Sequence, residues 1–292
     1  MIENINGSIY KVIENKRIIA ITSKKRLHHY YMSKGMFKQF MDYFHKNIYV
    51  FLKVKKNYRL YKGIKVQNVV SIDKVLSPNK NKPKIFYDIS MIKSEIKKLV
   101  NQNRNRLFID FEMSMPPYHN YENFISEIIQ VGLVLTDELG NIIKQYNSFI
   151  KPKLFPKLSK RTLRFLDLNQ KNVDKGIPYI NLYNLLSDIN NNYDPIIYVW
   201  GKNDKFELIK LNKIYQLNNF IEDMQFVDLL SLHKTYFRLK NDLGLFNAYN
   251  SYKTNHILNN QKHDALEDAL ITKEVFYNFK DVCNHKLKVN IA

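Results

Sequence analysis

Two carboxylates interrupt an apolar run near the middle of the chain. The run is LFIDFEMSM, residues 107–115, and its acids are Asp110 and Glu112. Because side chains two apart on a strand point to the same face, both carboxylates would project together. Adjacent carboxylates repel each other and lose hydration when they are buried. A hard divalent cation such as Mg²⁺ or Mn²⁺ would relieve both effects, although a strand face open to water would also accommodate the two acids.

Further acids follow at two later points in the sequence. Asp204 lies just beyond the apolar run PIIYVW, and open α/β sheets tend to place their sites at the carboxyl ends of strands. Asp204 could equally cap the helix that follows it. His263 precedes a predicted helix that carries Asp264, Glu267 and Asp268, and acids in a first turn also interact favourably with the helix dipole. Helical spacing alone does not decide which face of that helix would bind a metal.

The order and spacing of these residues resemble the DEDD superfamily of 3′–5′ exonucleases. The ordered set fits its His-containing branch, DEDDh. This set is Asp110-x-Glu112, then Asp204, then His263 with Asp268 five residues later. The block HDALEDA is similar to the H-x-A-x-x-D block of that branch. Within the branch, the chain is most similar to KapD-type and Eri-type exonucleases, and the resemblance covers roughly residues 106–282.

The resemblance implies phosphodiester hydrolysis assisted by two divalent metal ions, Mg²⁺ or Mn²⁺. The family's four metal ligands map to Asp110, Glu112, Asp204 and Asp268, and its general base maps to His263, a neutral imidazole that can accept a proton from water. The implied partner is a single-stranded nucleic acid with a free 3′ end. RNA is favoured over DNA, and a homodimer is left open because many relatives dimerise.

Two other functions remain open at this point. The first is a DNA proofreading or repair exonuclease, since the motifs do not separate RNA from DNA. The second is a non-catalytic nucleic-acid-binding protein on the same fold. The presence of all five site residues argues against this second alternative, because the loss of one of them would be the expected trace of decay.

The sequence departs from its relatives after the first two acids. Relatives commonly carry a small or hydroxylated residue there, whereas this chain has Met113 followed by Ser114. We expect these two positions to influence recognition of the terminal nucleotide. Phe124, Phe165 and Leu166 are candidates to stack on or wedge against the 3′ end, and each would also serve as an ordinary core residue.

Positive charge is concentrated in the first third of the chain. The formal net charge is +19, from 46 Lys and Arg against 27 Asp and Glu. Residues 1–106 hold 24 of these basic residues and 6 of the acidic ones, whereas the remainder is nearly neutral. Clustered basic charge is typical of surfaces that bind nucleic acid, and a merely solvated region is the alternative.

One segment of the basic region combines charge with aromatic rings. KKRLHHYY, residues 24–31, could neutralise phosphates and stack on bases. The candidate tether residues in this segment are Lys24, Lys25, Arg26, His28, His29, Tyr30 and Tyr31. For any single basic run, a solvated face remains the alternative.

Changes in the pattern of residue types along the sequence predict that the chain has three parts. Residues 1–85 are expected to form a small basic β-rich domain with one inserted helix over 36–47, and residues 86–105 a basic linker helix. Residues 106–285 are expected to form a mixed α/β sheet flanked by helices, and the resemblance implies that this exonuclease domain is RNase H-like. The strands predicted in the first part cover 8–22, 48–54, 58–63 and 64–72, followed by a linker at 77–84.

The second half alternates between strand-like and helix-like segments. The predicted strands are 107–112, 127–137, 142–152 and 195–200. The predicted helices are 157–168, 178–191, 204–216, 227–237, 244–252 and 264–280.

Composition also bears on where the protein works. The chain has one cysteine, Cys283, so it cannot form an intramolecular disulfide or a cysteine-based zinc site. It has no apolar run of about 18 or more residues, and its first residues lack the apolar core of a signal peptide. We therefore expect a cytoplasmic protein that does not bind membranes.

Overall fold

The structure, a computed structural model, describes residues 1–23, 26–79, 82–119, 122–253 and 263–289. The chain divides into two compact units, Met1–Glu95 and Ile96–Ala292. Each unit has a hydrophobic core of its own. Within the described ranges, no helix has the length and apolar character needed to cross a membrane.

The first unit is built from long strands that curl into a barrel. Its described elements are β1 (Ile2–Ile13), β2 (Ile18–Ser23), β3 (Arg26–Tyr31), α1 (Lys34–Phe40), β4 (Tyr49–Tyr61), β5 (Ile64–Ser77) and β6 (Lys84–Asp88). Strand β1 pairs with β2 and β4, β4 pairs with β5, and β3 pairs with β2 and, in parallel, with β5. Five strands therefore close in the order 1-2-3-5-4-1, and β6 extends the sheet beside β5. Alternate side chains such as Val50, Leu52 and Val54 fill the interior.

The barrel corrects several details of the sequence-based prediction. The segments 48–54 and 58–63 form one strand, β4, because an irregularity in the pairing between Val54 and Tyr58 lets the strand continue through exposed polar residues. The predicted linker at 77–84 instead connects β5 to β6 within one sheet. The inserted helix is shorter than expected and is followed by a single 3-10 turn, Met41–Tyr43.

Helix α2 (Ile89–Val100) follows β6 directly. The predicted linker helix at 86–105 is therefore shorter, because its first residues pair with β5 as part of β6. The division between the two compact units falls inside α2, after Glu95.

The second unit is a mixed sheet with helices on both faces, as the sequence predicts. Its described strands are β7 (Arg106–Met113), β8 (Ile128–Thr136), β9 (Ile142–Lys151), β10 (Ile177–Pro178), β11 (Ile196–Val199) and β12 (Phe226–Asp228). Its described helices are α3 (Lys160–Phe165), α4 (Gln170–Asp174), α5 (Tyr179–Tyr193), α6 (Asn203–Ile214), α7 (Leu229–Phe237), α8 (Leu245–Tyr252) and α9 (Ala265–Cys283).

The strands of this second sheet lie in the order β10-β9-β8-β7-β11-β12. Strands β7, β8 and β9 form an antiparallel meander, whereas β11 pairs in parallel with β7 and β12. The segment 227–237, predicted as wholly helical, begins as β12, and Asp228 then caps α7 by accepting a hydrogen bond from Ser231.

Strand β8 is buried along its whole length because the sheet is covered on both sides. On one side, Leu133 belongs to a core that includes Leu182 of α5 and Leu208 of α6. On the other side α9 packs, and the ring of Phe276 lies 5.5 Å from that of Phe108 on β7. Alternation along β7 therefore decides which of its side chains face α9.

Truncation of Leu133 to alanine should destabilise the second unit by about 2–5 kcal/mol, because it removes buried methyl groups and leaves a cavity. Leu139→Ala is the matched control, since Leu139 is exposed and its truncation should change the free energy of unfolding by less than about 0.5 kcal/mol. The midpoint of urea unfolding, followed by circular dichroism, measures both. Equal losses in the two variants would show that β8 is not the centre of the core.

Candidate active site

The first two acids lie on β7 and face α9. Asp110 and Glu112 follow Phe108 at every second position, so all three side chains leave the strand on the side that α9 covers. In the sheet, Asp110 lies opposite Gly132 of β8 and Glu112 lies opposite Gln130. The strand thus presents both carboxylates toward the beginning of α9.

Four carboxylates meet near the carboxyl end of β7. One oxygen each from Asp110, Glu112 and Asp268 lie within 4.8 Å of one another, and Asp268 sits in the first turn of α9. Asp204, in the first turn of α6, is buried. Its charge acts on Asp110, so all four acids predicted from the sequence belong to one cluster.

Burial raises the pKa values of Asp110, Glu112 and Asp204, and the charges of neighbouring carboxylates add to the effect. Burial is the larger cause for Asp110, whose pKa lies well above its usual range, and the charges of Asp204 and Asp268 add to it. Burial, followed by the charge of Asp268, raises the pKa of Glu112 to about 8. Burial raises the pKa of Asp204 to about 7. A fully ionised cluster therefore needs compensating positive charge, and an all-oxygen donor set fits Mg²⁺ or Mn²⁺.

The predicted general base lies beside the carboxylates. His263 Nδ1 is 3.7 Å from Glu112 Oε1, and the residue immediately precedes the residue that caps α9. Burial lowers the pKa of His263, which favours the neutral imidazole at pH 7. Its ring packs against Phe165 with centroids 4.5 Å apart, and Phe165 is 56% exposed. The candidate base therefore lies between the acids and an exposed aromatic ring.

The close packing of α9 on β8 depends on Gly132, a residue that the sequence analysis missed. A Cβ atom at this position would collide with the main chain of Ala265 and Leu266 in the first turn of α9. Because Gly132 lies opposite Asp110 in the sheet, the same close approach brings Asp268 to the other acids. The available signal was a glycine inside an otherwise apolar strand, which often marks a close main-chain approach.

Asp264 fixes the start of α9 rather than joining the three-acid group. Its carboxylate accepts hydrogen bonds from the main-chain N–H groups of Leu266 (3.1 Å) and Glu267 (3.0 Å). The side chain of Gln130 donates to it over 3.0 Å. Of the two acids that share a helix face, Asp268 is therefore the one that reaches Asp110 and Glu112, which helical spacing could not decide.

The two residues that follow the first acids differ in their exposure. The Ser114 hydroxyl is buried and accepts a hydrogen bond from the Glu127 N–H over 2.9 Å, so it faces the interior of the protein. Met113 is half-buried and packs against the core, so it is the more accessible of the two predicted specificity residues. The carboxylate of Glu127 in turn accepts main-chain hydrogen bonds from residues 153–155 and one from the hydroxyl of Tyr215.

The three predicted stacking residues lie in different surroundings. Phe165 contacts His263, as described above, whereas Leu166 is buried in a small core cluster and serves there as a core residue. Phe124 packs against Phe155 with ring centroids 4.9 Å apart. Both rings, together with Lys157, line an open cavity of about 630 Å³.

The predicted tether residues of the first unit are also placed differently. Lys24 and Lys25 lie outside the described residues. Tyr30 is buried in the barrel core, so the expectation that it stacks on bases is wrong for this arrangement. The predicted tether residues on β3 that remain partly or fully exposed are Arg26, His28, His29 and Tyr31.

Comparison with known proteins identifies the family. The exonuclease (RNase_T) family matches residues 107–276 of this chain. The protein described as "Probable 3'-5' exonuclease KapD" from Bacillus subtilis (strain 168) is 32% identical over 171 residues, which cover 58% of this chain and 82% of that protein. The chain belongs to this exonuclease family, and its relative KapD is described as a probable 3′–5′ exonuclease.

Solved structures agree on the fold of the second unit. The nuclease domain of 3'hExo, described as a DEDDh family member bound to rAMP, matches with a TM-score of 0.53 and 16% identity, covering 65% of this chain and 97% of that one. A full-length 3'-exonuclease matches with a TM-score of 0.51 and 16% identity, covering 64% and 86%. The predicted RNase H-like fold of DEDDh nucleases is thereby confirmed.

Replacement of Gly132 by alanine should push the first turn of α9 away from β8 and separate Asp268 from Asp110. Displacement of catalytic groups by about 1 Å can lower a rate by about 100-fold, so we expect a loss of that size in the release of nucleotides from a labelled oligonucleotide. Gly35→Ala is the matched control, because a Cβ atom there meets nothing within 4 Å. A Gly132→Ala protein with full activity would refute the positioning role.

Removal of metal ions should make stability depend on pH. Carboxyl groups whose folded pKa is raised to about 7–8 bind more protons in the folded state than in the unfolded one. Their effect on stability is thus unfavourable at high pH. The thermal midpoint measured in chelator should therefore decrease as the pH is raised from about 5 to about 8. Mn²⁺ should restore that midpoint at pH 8.

Neutralising one acid of the cluster tests whether repulsion among the carboxylates destabilises the metal-free protein. In chelator at pH 8, Asp268→Asn should raise the thermal midpoint by a few degrees, roughly the shift that 1 kcal/mol produces. The same variant should lose the stabilisation by Mn²⁺. Asp188→Asn removes an exposed acid of α5 and should leave both properties unchanged. Equal stabilisation of the two variants by Mn²⁺ would contradict a metal site at the cluster.

Proposed function

We propose that the protein is a metal-dependent 3′–5′ exonuclease that removes nucleotides from the 3′ end of single-stranded nucleic acid. The observation that carries this proposal is the convergence of four carboxylates and one imidazole near the carboxyl ends of β7 and β11 in an exonuclease-family chain. All five residues come from the motifs that resemble the DEDDh branch.

Each group in the site has a role in the proposed hydrolysis. The four carboxylates would hold two divalent ions, Mg²⁺ or Mn²⁺, which when bound would offset charge on the reacting phosphate and on the attacking and leaving oxygens. His263, kept neutral by burial, would accept the proton of the attacking water. Phe165 lies against His263 and is exposed enough to contact the terminal nucleotide as well.

We favour RNA over DNA as the substrate. The descriptions of two structural neighbours support this choice. The structural neighbour 3'hExo is described as bound to rAMP, and another neighbour, with a TM-score of 0.51, is described as recognising the 3′ end of a histone mRNA stem-loop. The excess positive charge of residues 1–106 supports a nucleic-acid tether in the first unit. A DNA proofreading or repair exonuclease is the second candidate, since the acids themselves do not distinguish the two sugars.

Labelled oligonucleotides provide the direct test. RNA and single-stranded DNA of one sequence, labelled at the 5′ end, should be shortened stepwise from the 3′ end in Mg²⁺ or Mn²⁺, with RNA degraded faster. EDTA should stop the reaction, and Asp110→Asn should abolish turnover while the protein stays folded. Cleavage that continues in EDTA would overturn the metal-dependent mechanism, and folded wild-type protein that degrades neither strand would favour a non-catalytic binding protein.

Replacement of His263 by alanine tests the general base separately. General-base catalysis typically contributes 10²–10⁴-fold, so we expect the rate at pH 7 to fall at least about 100-fold. In the wild type, the rate should decline toward low pH as the imidazole becomes protonated. His45→Ala, which alters an exposed histidine of the first unit, is the matched control. Full activity of His263→Ala at pH 7 would exclude the assigned role.

A further inference from the structure

Two loops of the first unit meet beside an arginine and a pair of tyrosines. One loop joins β1 to β2, and the other joins β4 to β5. Lys16 Nζ in the first loop donates to the main-chain oxygen of Lys62 in the second, over 3.1 Å. Arg17 follows Lys16, and its Nη2 donates to the hydroxyls of Tyr31 (2.9 Å) and Tyr61 (3.3 Å). The Arg17 guanidinium therefore links β3 to the end of β4.

A second arginine covers the same two rings. The Arg59 guanidinium carbon lies 4.6 Å from the centroid of the Tyr31 ring and 5.0 Å from that of Tyr61, and the two rings are 4.4 Å apart. Arg59 Nε donates to Asn68 Oδ1 over 2.9 Å, which fixes the orientation of the guanidinium plane. We call Arg17, Tyr31, Arg59 and Tyr61 the tyrosine–arginine cluster.

Exposed cations and apolar side chains surround this cluster. Lys62 lies over the Tyr61 ring, and Lys65 lies 4.9 Å from the centroid of the Tyr58 ring. Tyr58 is 48% exposed and Leu60 is 75% exposed, although both belong to a strand. The hairpin of β4 and β5 therefore offers aromatic and apolar surface between positive charges.

The positive charge of this surface is not neutralised by the described part of the chain. Within the described ranges, neither arginine of the cluster nor Lys16, Lys62 and Lys65 forms an ion pair with a carboxylate. Elsewhere in the same unit, Lys74 pairs with Asp88 over 2.9 Å. A surface of unpaired cations and exposed rings is complementary to a strand that carries phosphates and unpaired bases.

The topology of the barrel points to the same surface independently. Closure in the order 1-2-3-5-4-1, with β3 parallel to β5 and a helix between β3 and β4, is the connectivity of the OB-fold. Such barrels bind oligonucleotides on the face of the second and third strands and on the loops that join strands 1–2 and 4–5. Arg17 lies in the first of these loops, Tyr31 on the third strand, and Tyr61 at the edge of the second loop.

We infer that the tyrosine–arginine cluster and its flanking lysines bind single-stranded nucleic acid independently of the 3′ end. The inference rests on the proposed function, because it names the surface through which the first unit would hold the substrate of the exonuclease site. The arginines would donate to phosphates, while Tyr58, Tyr61 and Leu60 would contact bases. Recognition by phosphate and ring contacts requires no particular sequence.

A circular single strand distinguishes binding at this surface from binding at the active site, because a circle has no 3′ end for the active site to bind. Full-length protein carrying Asp110→Asn would be mixed in EDTA with a labelled DNA circle of about 40 nucleotides, a length that exceeds the site sizes of OB barrels. Fluorescence anisotropy should show binding. The double variant Arg59→Ala, Tyr61→Ala should weaken the affinity at least about tenfold, in line with the loss of one stacked base and one phosphate contact.

Further variants separate stacking, charge and misfolding. Arg59→Lys keeps the charge but loses the planar group. Its affinity for the circle should lie between that of the wild type and that of the Arg59→Ala, Tyr61→Ala variant. Lys62→Ala, Lys65→Ala alters only exposed side chains at the hairpin and should reduce the dependence of log affinity on log salt by about two. Lys38→Ala, which alters an exposed lysine of α1, is the control and should change affinity by less than about twofold.

Two results would overturn the inference. One is unchanged affinity for the circle in both double variants. The other is equally tight binding of a duplex of the same length, which would show a surface that senses charge without reading single strands. Hydrolysis of a short linear oligonucleotide by the wild type in Mg²⁺ is measured in parallel. Hydrolysis without circle binding would reject only this inference, and circle binding without hydrolysis would reject only the proposed function.

Discussion

Repulsion among buried carboxylates is the constraint around which the second unit is organised. Four acids from three separate elements meet near the carboxyl ends of β7 and β11, namely Asp110, Glu112, Asp204 and Asp268. Burial raises the pKa values of at least three of them. Such an arrangement is unfavourable for a protein alone, because burial and like charge both oppose ionisation. Divalent cations reverse the sign of this interaction, so the same geometry that destabilises the metal-free protein would bind metal ions strongly.

The scaffold holds the acids together by main-chain contacts more than by side-chain bonds. Alternation along β7 gives two acids a common direction, and the absence of a side chain at Gly132 lets α9 bring a third. Asp264 and Gln130 then fix the first turn of α9, which leaves His263 beside Glu112. The register between β7 and β8 therefore matters for the site, since it places Asp110 opposite Gly132, where α9 approaches the sheet.

The sequence was sufficient for the acids and insufficient for their supports. The period of two on β7 indicated Asp110 and Glu112, because that pattern follows from local geometry, whereas Asp268 was indicated only by the resemblance of the block HDALEDA to H-x-A-x-x-D. The part played by Gly132 depends on a contact between residues far apart in the chain, which no local pattern encodes. The same limit explains why local patterns do not predict the burial of Tyr30 or the pairing of β3 with β5.

If the four carboxylates hold two divalent ions, as we propose, calorimetric titration of Mn²⁺ into the metal-free protein should show it. At pH 8 we expect close to two ions bound per chain, with protons released because Glu112 and its neighbours must ionise. Asp110→Asn should reduce both the number of ions and the affinity. Absence of binding, or binding that Asp110→Asn leaves unchanged, would show that these carboxylates do not form a metal site.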